Sequence, residues 1–323
     1  MAPPETNLTE SIDGILLLDK PVGVSSFQAL YPVKRALGAG GRKGAKIGHA
    51  GTLDPAASGL LVLGIGNGTR LLEFLESLSK SYRFTLYLGI TTDTYDLDGE
   101  ILANRDTSGV TLEQIEALLP RFRGDIEQIP PAYSAIKIDG KRAYERARAG
   151  ETVEMVARPV HVFRLEIVSF EPATDASPAS AVLELDCSKG TYVRTIAYDL
   201  GQLLGCGAVA ADIRRTAIGP YSVEDAVAPD AVQREHVTPL ETAASSLTPV
   251  EVKEAWITPL LHGNPVPPAG YAPLPMKDSS ARAQQAAPLQ TCAVFSPAGK
   301  LLAIGDLDTT GHLKPRKVFP AQG

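Results

Sequence analysis

The sequence predicts an α+β fold built on a mixed sheet, with a small strand-rich domain at the C-terminal end. Three observations carry this. Tyr82 to Leu88 alternates, so Tyr82, Phe84, Leu86 and Leu88 share one face of a strand, where side chains repeat every two residues. Thr111 followed by Gln114 forms a capping box ahead of a short helix marked by Leu112, Ile115, Leu118 and Leu119. From Pro249 onward the content is strand-like: Gln290 to Phe295, a turn at Pro297-Ala298-Gly299, then Leu301 to Ile304. At 323 residues the chain can bury a large core, enough for one domain of about 250 residues plus a small one.

The other elements follow in chain order. Residues 1-12 are polar and expected to be flexible. Gly14 to Asp19 is a short apolar strand. Ser25 or Ser26 caps a helix running to about Leu37, with Phe27, Leu30 and Val33 facing inward. Gly38 to Gly44 is a Gly/Arg/Lys loop, expected to be mobile. Leu60 to Ile65 is a buried strand, and Leu71, Leu75 and Leu78 mark a helix from about Thr69 to Ser79. Pro130-Pro131 stops regular structure, and a Lys/Arg segment after it makes a strand and a turn at Asp139-Gly140 before a short helix. His161 to Phe170 and Ala181 to Cys187 are strands. Tyr192 to Leu204 is a helix with Ile196, Leu200 and Leu203 along one stripe. Tyr221 to Leu247 is acidic, alanine-rich and read as connective.

Composition is that of a globular chain, with no window long and apolar enough to span a membrane. The opening Met1-Ala2-Pro3-Pro4-Glu5 lacks a basic and then apolar leader, so a cytoplasmic location is expected. Cys187, Cys206 and Cys292 are too few and scattered for a disulfide framework or a structural zinc site. The formal net charge of -6 argues against a nucleic-acid partner, but the distribution argues for one. Lys20 to Ala50 carries Lys20, Lys34, Arg35, Arg42, Lys43 and Lys46 without an acid. Ile136 to Arg148 holds Lys137, Lys141, Arg142, Arg146 and Arg148 against Asp139 and Glu145. Acids gather in Asp93 to Glu100 and Glu224 to Glu241. Such segregation suits a polyanion-binding face on an acidic protein, although charge runs are also ordinary solvated surface.

The run Gly51-Thr52-Leu53-Asp54-Pro55-Ala56-Ala57-Ser58-Gly59 offers one carboxylate among small residues. Asp before Pro often begins a turn, which would make Asp54 structural. A carboxylate in such a loop also serves as nucleophile, general base or electrostatic stabiliser. Asp93, Asp96 and Asp98 form a separate acidic turn without the full calcium-loop pattern. Arg194 falls in the first turn of its helix, where the dipole does not favour a cation. An anionic partner would explain it, and Asp54 is a candidate. Tyr82 is either a half-buried strand aromatic or a site residue, and His49 in its basic loop could stack on a base. No metal-protease motif, phosphate-binding Gly-rich loop or nucleophile elbow is present, and no cofactor or metal is expected.

Together these segments resemble the bacterial tRNA pseudouridine synthases of the TruB family. Lys20-Pro21-x-Gly23-x-Ser25-Ser26 is similar to the family's first motif. His49-Ala50-Gly51-Thr52-Leu53-Asp54-Pro55 with Ser58-Gly59 is similar to the stretch holding the catalytic aspartate. Lys80-Ser81-Tyr82 resembles the stretch with the active-site tyrosine, and Asp93 to Gly99 the family's acidic turn. Pro131 to Arg148 resembles the RNA-contacting insert, and Lys189 to Arg194 with Asp199-Leu200-Gly201 the motif carrying the arginine. Ala50 departs from the Thr often found after the histidine, and the Gly38 to Gly44 loop is longer than usual.

The resemblance implies a pseudouridine synthase fold with a central mixed, mainly antiparallel sheet over residues 13-247, an RNA-contacting insert at 130-150, and a small PUA-like module at 248-323. It implies isomerisation of uridine 55 in the T loop of tRNA. Asp54 would be the essential carboxylate, Arg194 its ion-pair partner and Tyr82 the ring stacked on the flipped uracil. Tyr192 and Leu200 would line the pocket and His49 would buttress the vacated place. Lys20, Asp93, Lys137, Lys141, Arg142 and Arg146 would help bind RNA. The partner is a tRNA T stem-loop, with no membrane or obligate protein partner, and a monomer is expected. Alternatives are a tRNA-folding factor with secondary catalysis, an RNA glycosidase, and a relative acting within a guide-RNA complex.

Overall fold

The computed structural model describes residues 12-38, 45-134, 136-138, 140-244, 247-275 and 291-319. The expected flexible N-terminus, through residue 11, and the Gly-rich loop at 39-44 lie outside them. Packing divides the chain into two compact units: one of Met1–Leu53, Leu60–Leu78 and Ile218–Gly323, the other of Asp54–Gly59 and Ser79–Ala217.

In the first unit, strand Gly14–Lys20 pairs antiparallel with Thr238–Pro239 and neighbours the strand that ends at Ile65. Ile47–His49 lies antiparallel along that strand, His49 opposite Leu63. Leu16, Leu18, Leu30, Val33, Leu61 and Leu63 form one core on this framework. The helix is shorter than its sequence pattern predicts, Leu30–Ala36, with no side-chain cap. Ser25 instead exchanges bonds with Gln28 one turn earlier: Gln28 N–H to Ser25 Oγ at 3.2 Å, and Ser25 N–H to Gln28 Oε1 at 2.8 Å. Ser26 points inward, its Oγ accepting the Leu53 N–H (2.8 Å) and donating to the Leu53 carbonyl (2.9 Å). Turning Ser26 in turns Phe27 out, so Phe27 is exposed, contrary to the inward reading, while Leu30 and Val33 are buried as expected.

The C-terminal part of this unit is a five-stranded sheet, ordered Tyr271–Pro273, Thr248–Val252, Thr291–Phe295, Leu301–Leu307, Leu313–Val318. One face, with Val250, Val252, Val294 and Leu302, packs on Leu260 and Val266. Ala293, Phe295, Ile304 and Phe319 instead join Ile15, Leu60 and Val62 in a shared core. Tyr221 to Leu247 is not mere connection: Val223, Leu240 and Ala243 enter that core, and Thr238–Pro239 extends a sheet. Alternation of small alanines with isolated large residues hides this segment from periodicity.

The second unit is a mixed sheet with helices. Lys80–Leu88, Ser180–Cys187, Arg158–Glu171 and Gly124–Gln128 run antiparallel in that order. Ala208–Ile218 flanks Lys80–Leu88 and takes Ser58-Gly59 in parallel on its other side. Phe84, Leu86 and Leu88 are buried on the expected face. The capping box at Thr111 and Gln114 is formed, with both reciprocal bonds, and opens helix Leu112–Leu118. Helix Val193–Leu204 packs against this helix and against strand Lys80–Leu88, burying Val193, Arg194, Ile196, Ala197 and Leu200. The insert makes a hairpin of Lys137–Ile138 with Lys141–Arg142, then helix Ala143–Arg148.

Gly59 fixes how closely these strands approach. It has φ +101°, and a Cβ there would stand 2.3 Å from the Arg215 carbonyl oxygen. Only glycine meets both conditions. Gly59→Ala is therefore expected to lower stability by on the order of 1–3 kcal/mol. An unchanged urea midpoint would contradict this.

Candidate active site

Asp54 opens the turn that leads into strand Ser58–Ile65. The turn itself uses main-chain groups: the Ala57 N–H donates to the Asp54 carbonyl at 3.1 Å. The carboxylate goes elsewhere. Its Oδ2 lies 2.8 Å from Arg194 Nη2, and the side chain keeps 45% of its surface exposed. The turn thus uses the Asp54 carbonyl, while the carboxylate is turned to Arg194.

Arg194 is the buried member, at 5% exposure. Its guanidinium also faces Asp96, Nη1 to Oδ2 at 3.3 Å, with Asp96 only 9% exposed. Nη1 donates to the Thr94 carbonyl (2.8 Å) and Nη2 to the Tyr133 carbonyl (2.9 Å). The planar fork has five N–H donors, and two carboxylates and two carbonyls here fix its plane from several sides. The two acids also offset the poor match between a cation and a helix N-terminus.

The elements presenting Arg194 are tied down in turn. Tyr192 begins the helix without a side-chain cap of its own. The buried amide of Gln128 replaces it, accepting the Tyr192 N–H at 2.7 Å and donating to the Tyr192 carbonyl at 3.0 Å. Gly205, left-handed at φ +81°, ends the helix. In the acidic turn, Asp96 accepts Thr94 Oγ1–H at 2.5 Å and the Asp98 N–H at 3.1 Å, and Asp93 accepts the Glu100 N–H at 2.8 Å. These carboxylates serve their own turn and Arg194. Among the described residues no group of three His, Cys, Asp or Glu side chains is placed to hold a metal ion.

Tyr82 stands on the first strand of the antiparallel set. Burial raises the pKa of its phenol, the Arg215 charge and a hydrogen bond to Arg215 pull it down, and Cys187 and Asp54 push it up again. The net is upward, so Tyr82 carries its proton at neutral pH. Burial likewise raises Tyr192, with the Asp54 charge raising it and the Arg194 charge lowering it. Both tyrosines therefore lie within the field of the Asp54 carboxylate. Cys187 is pushed up to about 12, chiefly by burial, and so stays a neutral thiol.

The structure brings together Asp54, Arg194, Asp96, Tyr82 and Tyr192. Leu200 is fully buried in its helix. Lys20 and His49 belong to the other unit. Lys20 is buried, and its ammonium donates to the Pro21 and Val24 carbonyls at 2.8 and 2.7 Å, shaping that turn. Lys141 is exposed, and Arg146 pairs with Glu151 at 2.7 Å. The side chains of Lys137 and Arg142 lie outside the described residues. Sequence reasoning missed Arg215, buried in strand Ala208–Ile218, and Gln128. Each sits on a strand among ordinary neighbours, and only the pairing of distant strands gives it a role.

Residues 34–193 match the TruB family pseudouridylate synthase (N terminal domain), and residues 194–252 match the tRNA pseudouridylate synthase B C-terminal domain. The tRNA pseudouridine synthase B of Pseudomonas aeruginosa (strain UCBPP-PA14) is 40% identical over 323 residues, covering 97% of each chain. That of Aromatoleum aromaticum (strain DSM 19018 / LMG 30748 / EbN1) is 46% identical over 240 residues, 74% of this chain and 73% of the other. Among solved structures, a chain of a Cbf5-Nop10-Gar1 complex aligns at TM-score 0.68 and 24% identity, over 95% of this chain and 85% of that one. A chain of an H/ACA RNP bound to a substrate RNA containing 2'-deoxyuridine aligns at 0.67 and 22%, with the same coverage. At those identities the likeness carries the fold.

Arg194→Met would leave Asp96 buried without its counter-charge. Removing one partner of a buried pair costs about 3–5 kcal/mol, and a loss of that order is expected in urea unfolding. A variant as stable as the parent would contradict the pairing.

Proposed function

The chain belongs to the TruB family of tRNA pseudouridine synthases, and we propose that it isomerises uridine 55 in the T loop of tRNA with Asp54 as the essential carboxylate. The single observation carrying this reading is the Asp54–Arg194 pair at 2.8 Å, with Arg194 buried and Asp54 half open. A carboxylate aimed by a fixed guanidinium, yet reachable from outside, is arranged to meet a substrate rather than to close a turn.

The reaction breaks the bond from ribose C1' to uracil N1, turns the base, and forms a bond from C1' to C5. The C5 proton is lost and N1 gains one, so nothing is added or removed overall. One carboxylate serves either of two routes. Attack at C1' gives an ester that the turned uracil displaces. Removal of a C2' proton gives a glycal to which C5 then adds. Addition of the carboxylate to uracil C6 is a third, older route to the same product. Tyr82 stacks on the flipped uracil, and its phenol, protonated at neutral pH, exchanges protons at C5 while Arg215 lowers the cost of phenolate. Tyr192 lines the pocket, and Leu200 supports that wall from behind.

The target uridine is stacked in a folded loop and must be extruded, which costs a few kcal/mol. His49 occupies or buttresses the place it vacates. Lys137, Lys141, Arg142 and Arg146 approach phosphates, so their contribution falls as salt rises. Lys20 acts through the turn it shapes, and Asp93 through the turn it closes. Residues 13-247 form the catalytic domain and 248-323 a PUA-like RNA-binding module. The protein works as a cytoplasmic monomer without a cofactor.

The test incubates wild type and Asp54→Asn with a T stem-loop RNA and maps pseudouridine at single-nucleotide resolution. Wild type should convert the target uridine, and Asp54→Asn should lose at least about a thousand-fold in rate, as removal of a nucleophile or base does. Conversion by the variant at the wild-type rate would exclude Asp54. Release of free uracil would identify a glycosidase instead. Tyr82→Phe keeps the stacking ring and should keep RNA affinity, yet slow the reaction by roughly 10²–10⁴, the range of proton-transfer catalysis. An unslowed Tyr82→Phe protein would limit Tyr82 to stacking.

A further inference from the structure

The turn and helix after the first strand expose two aromatic rings that the catalytic reading does not use. Phe27 is 56% exposed and Tyr31 55%. They stand four residues apart and meet edge to face, centroids 5.4 Å apart at 79°. Lys34 Nζ lies over both, 5.0 Å from the Phe27 centroid and 5.8 Å from that of Tyr31. Arg35 and Gln28 are exposed on the same short stretch. The orientation is imposed from inside, because Ser26, Leu30 and Val33 are all turned into the protein. Leaving a Phe in water forgoes about 1.5–3 kcal/mol of burial.

We propose that Phe27 and Tyr31 form a stacking platform for an unpaired nucleobase of the RNA substrate, with Lys34 and Arg35 taking the adjoining phosphates. The proposal rests on the RNA-binding reading above. Charge selects this occupant over an apolar protein surface. From Lys20 to Ala50 the sequence holds cations and no acid, in a chain of net charge -6. Aromatic faces interleaved with cations are the combination that binds single-stranded nucleic acid, since every base offers a π-face and every step a phosphate. The Lys34 ammonium, on a flexible stem, can leave the rings for a phosphate when a base arrives. Sequence preference should be weak, because stacking reads no base edge.

The test measures the affinity of full-length unmodified tRNA and of an isolated T stem-loop by fluorescence anisotropy across a salt series. The proteins are wild type, Phe27→Ala/Tyr31→Ala, Phe27→Tyr and Lys34→Ala. The double alanine variant should bind at least one RNA about five-fold or more weakly, the lower end of stacking on an aromatic. Its salt slope, its melting temperature and its rate at saturating RNA should match wild type. Phe27→Tyr should bind as wild type, and Lys34→Ala should flatten the salt slope. Loss confined to full-length tRNA places the stacked base outside the T arm, and loss with both RNAs places it within. Unchanged affinity for both RNAs in the folded double variant would overturn the proposal and point to a protein partner. A weakened affinity accompanied by a flatter slope in that variant would also overturn it, since rings carry no counterion exchange. A wild type that binds RNA but forms no pseudouridine would sink the catalytic reading and leave these comparisons valid.

Discussion

One guanidinium organises the candidate site. Arg194 is almost fully buried, and its neighbours are two carboxylates and two main-chain carbonyls. A charge in that position is tolerable only if its donors are met and its sign is balanced. The chain meets both demands by bringing the Asp54 turn, the acidic turn at Thr94 to Asp96 and the Tyr133 segment to one side chain. The same requirement that makes Arg194 stable therefore orients Asp54.

The supports around Arg194 are polar and specific. Gln128, from a strand remote in sequence, caps the helix through its main chain at Tyr192. Gly59 lets the strand after Asp54 approach Arg215 closely, and Arg215 in turn holds the Tyr82 phenol. Tyr95, left-handed at φ 63°, stacks on Tyr198 at 4.0 Å beside the acidic turn. Asp199 next to that pair is pushed up to about 6 by burial. The contact that orients Asp54 is itself held by main-chain carbonyls from two loops, at Thr94 and Tyr133.

Local physics was legible in the sequence where it acts over a few residues. The capping box at Thr111 and the alternation from Tyr82 to Leu88 appear as expected. In the Val193–Leu204 helix Ile196 and Leu200 are buried, whereas Leu203, read as part of the same stripe, is exposed near the helix end. Phe27 failed because a helix starting at Ser25 would turn it inward, whereas Ser26 is claimed by Leu53, far along the chain. Tyr221 to Leu247 failed because its buried positions are sparse among alanines. The site was half legible. Asp54 stood out by its loop and Arg194 by its awkward place in a helix, and the family resemblance joined them. Arg215 and Gln128 carry no local mark, since their roles exist only once distant strands pair.

Whether Arg194 and Asp96 serve the reaction by aiming Asp54 is tested directly by a double-mutant cycle. Single-turnover pseudouridine formation would be measured for wild type, Asp96→Asn, Arg194→Lys and the double variant. If both residues act through the one carboxylate, the double variant is about as slow as the slower single, a coupling on the order of 1–3 kcal/mol. If the two losses multiply, Arg194 and Asp96 act independently and the account is wrong.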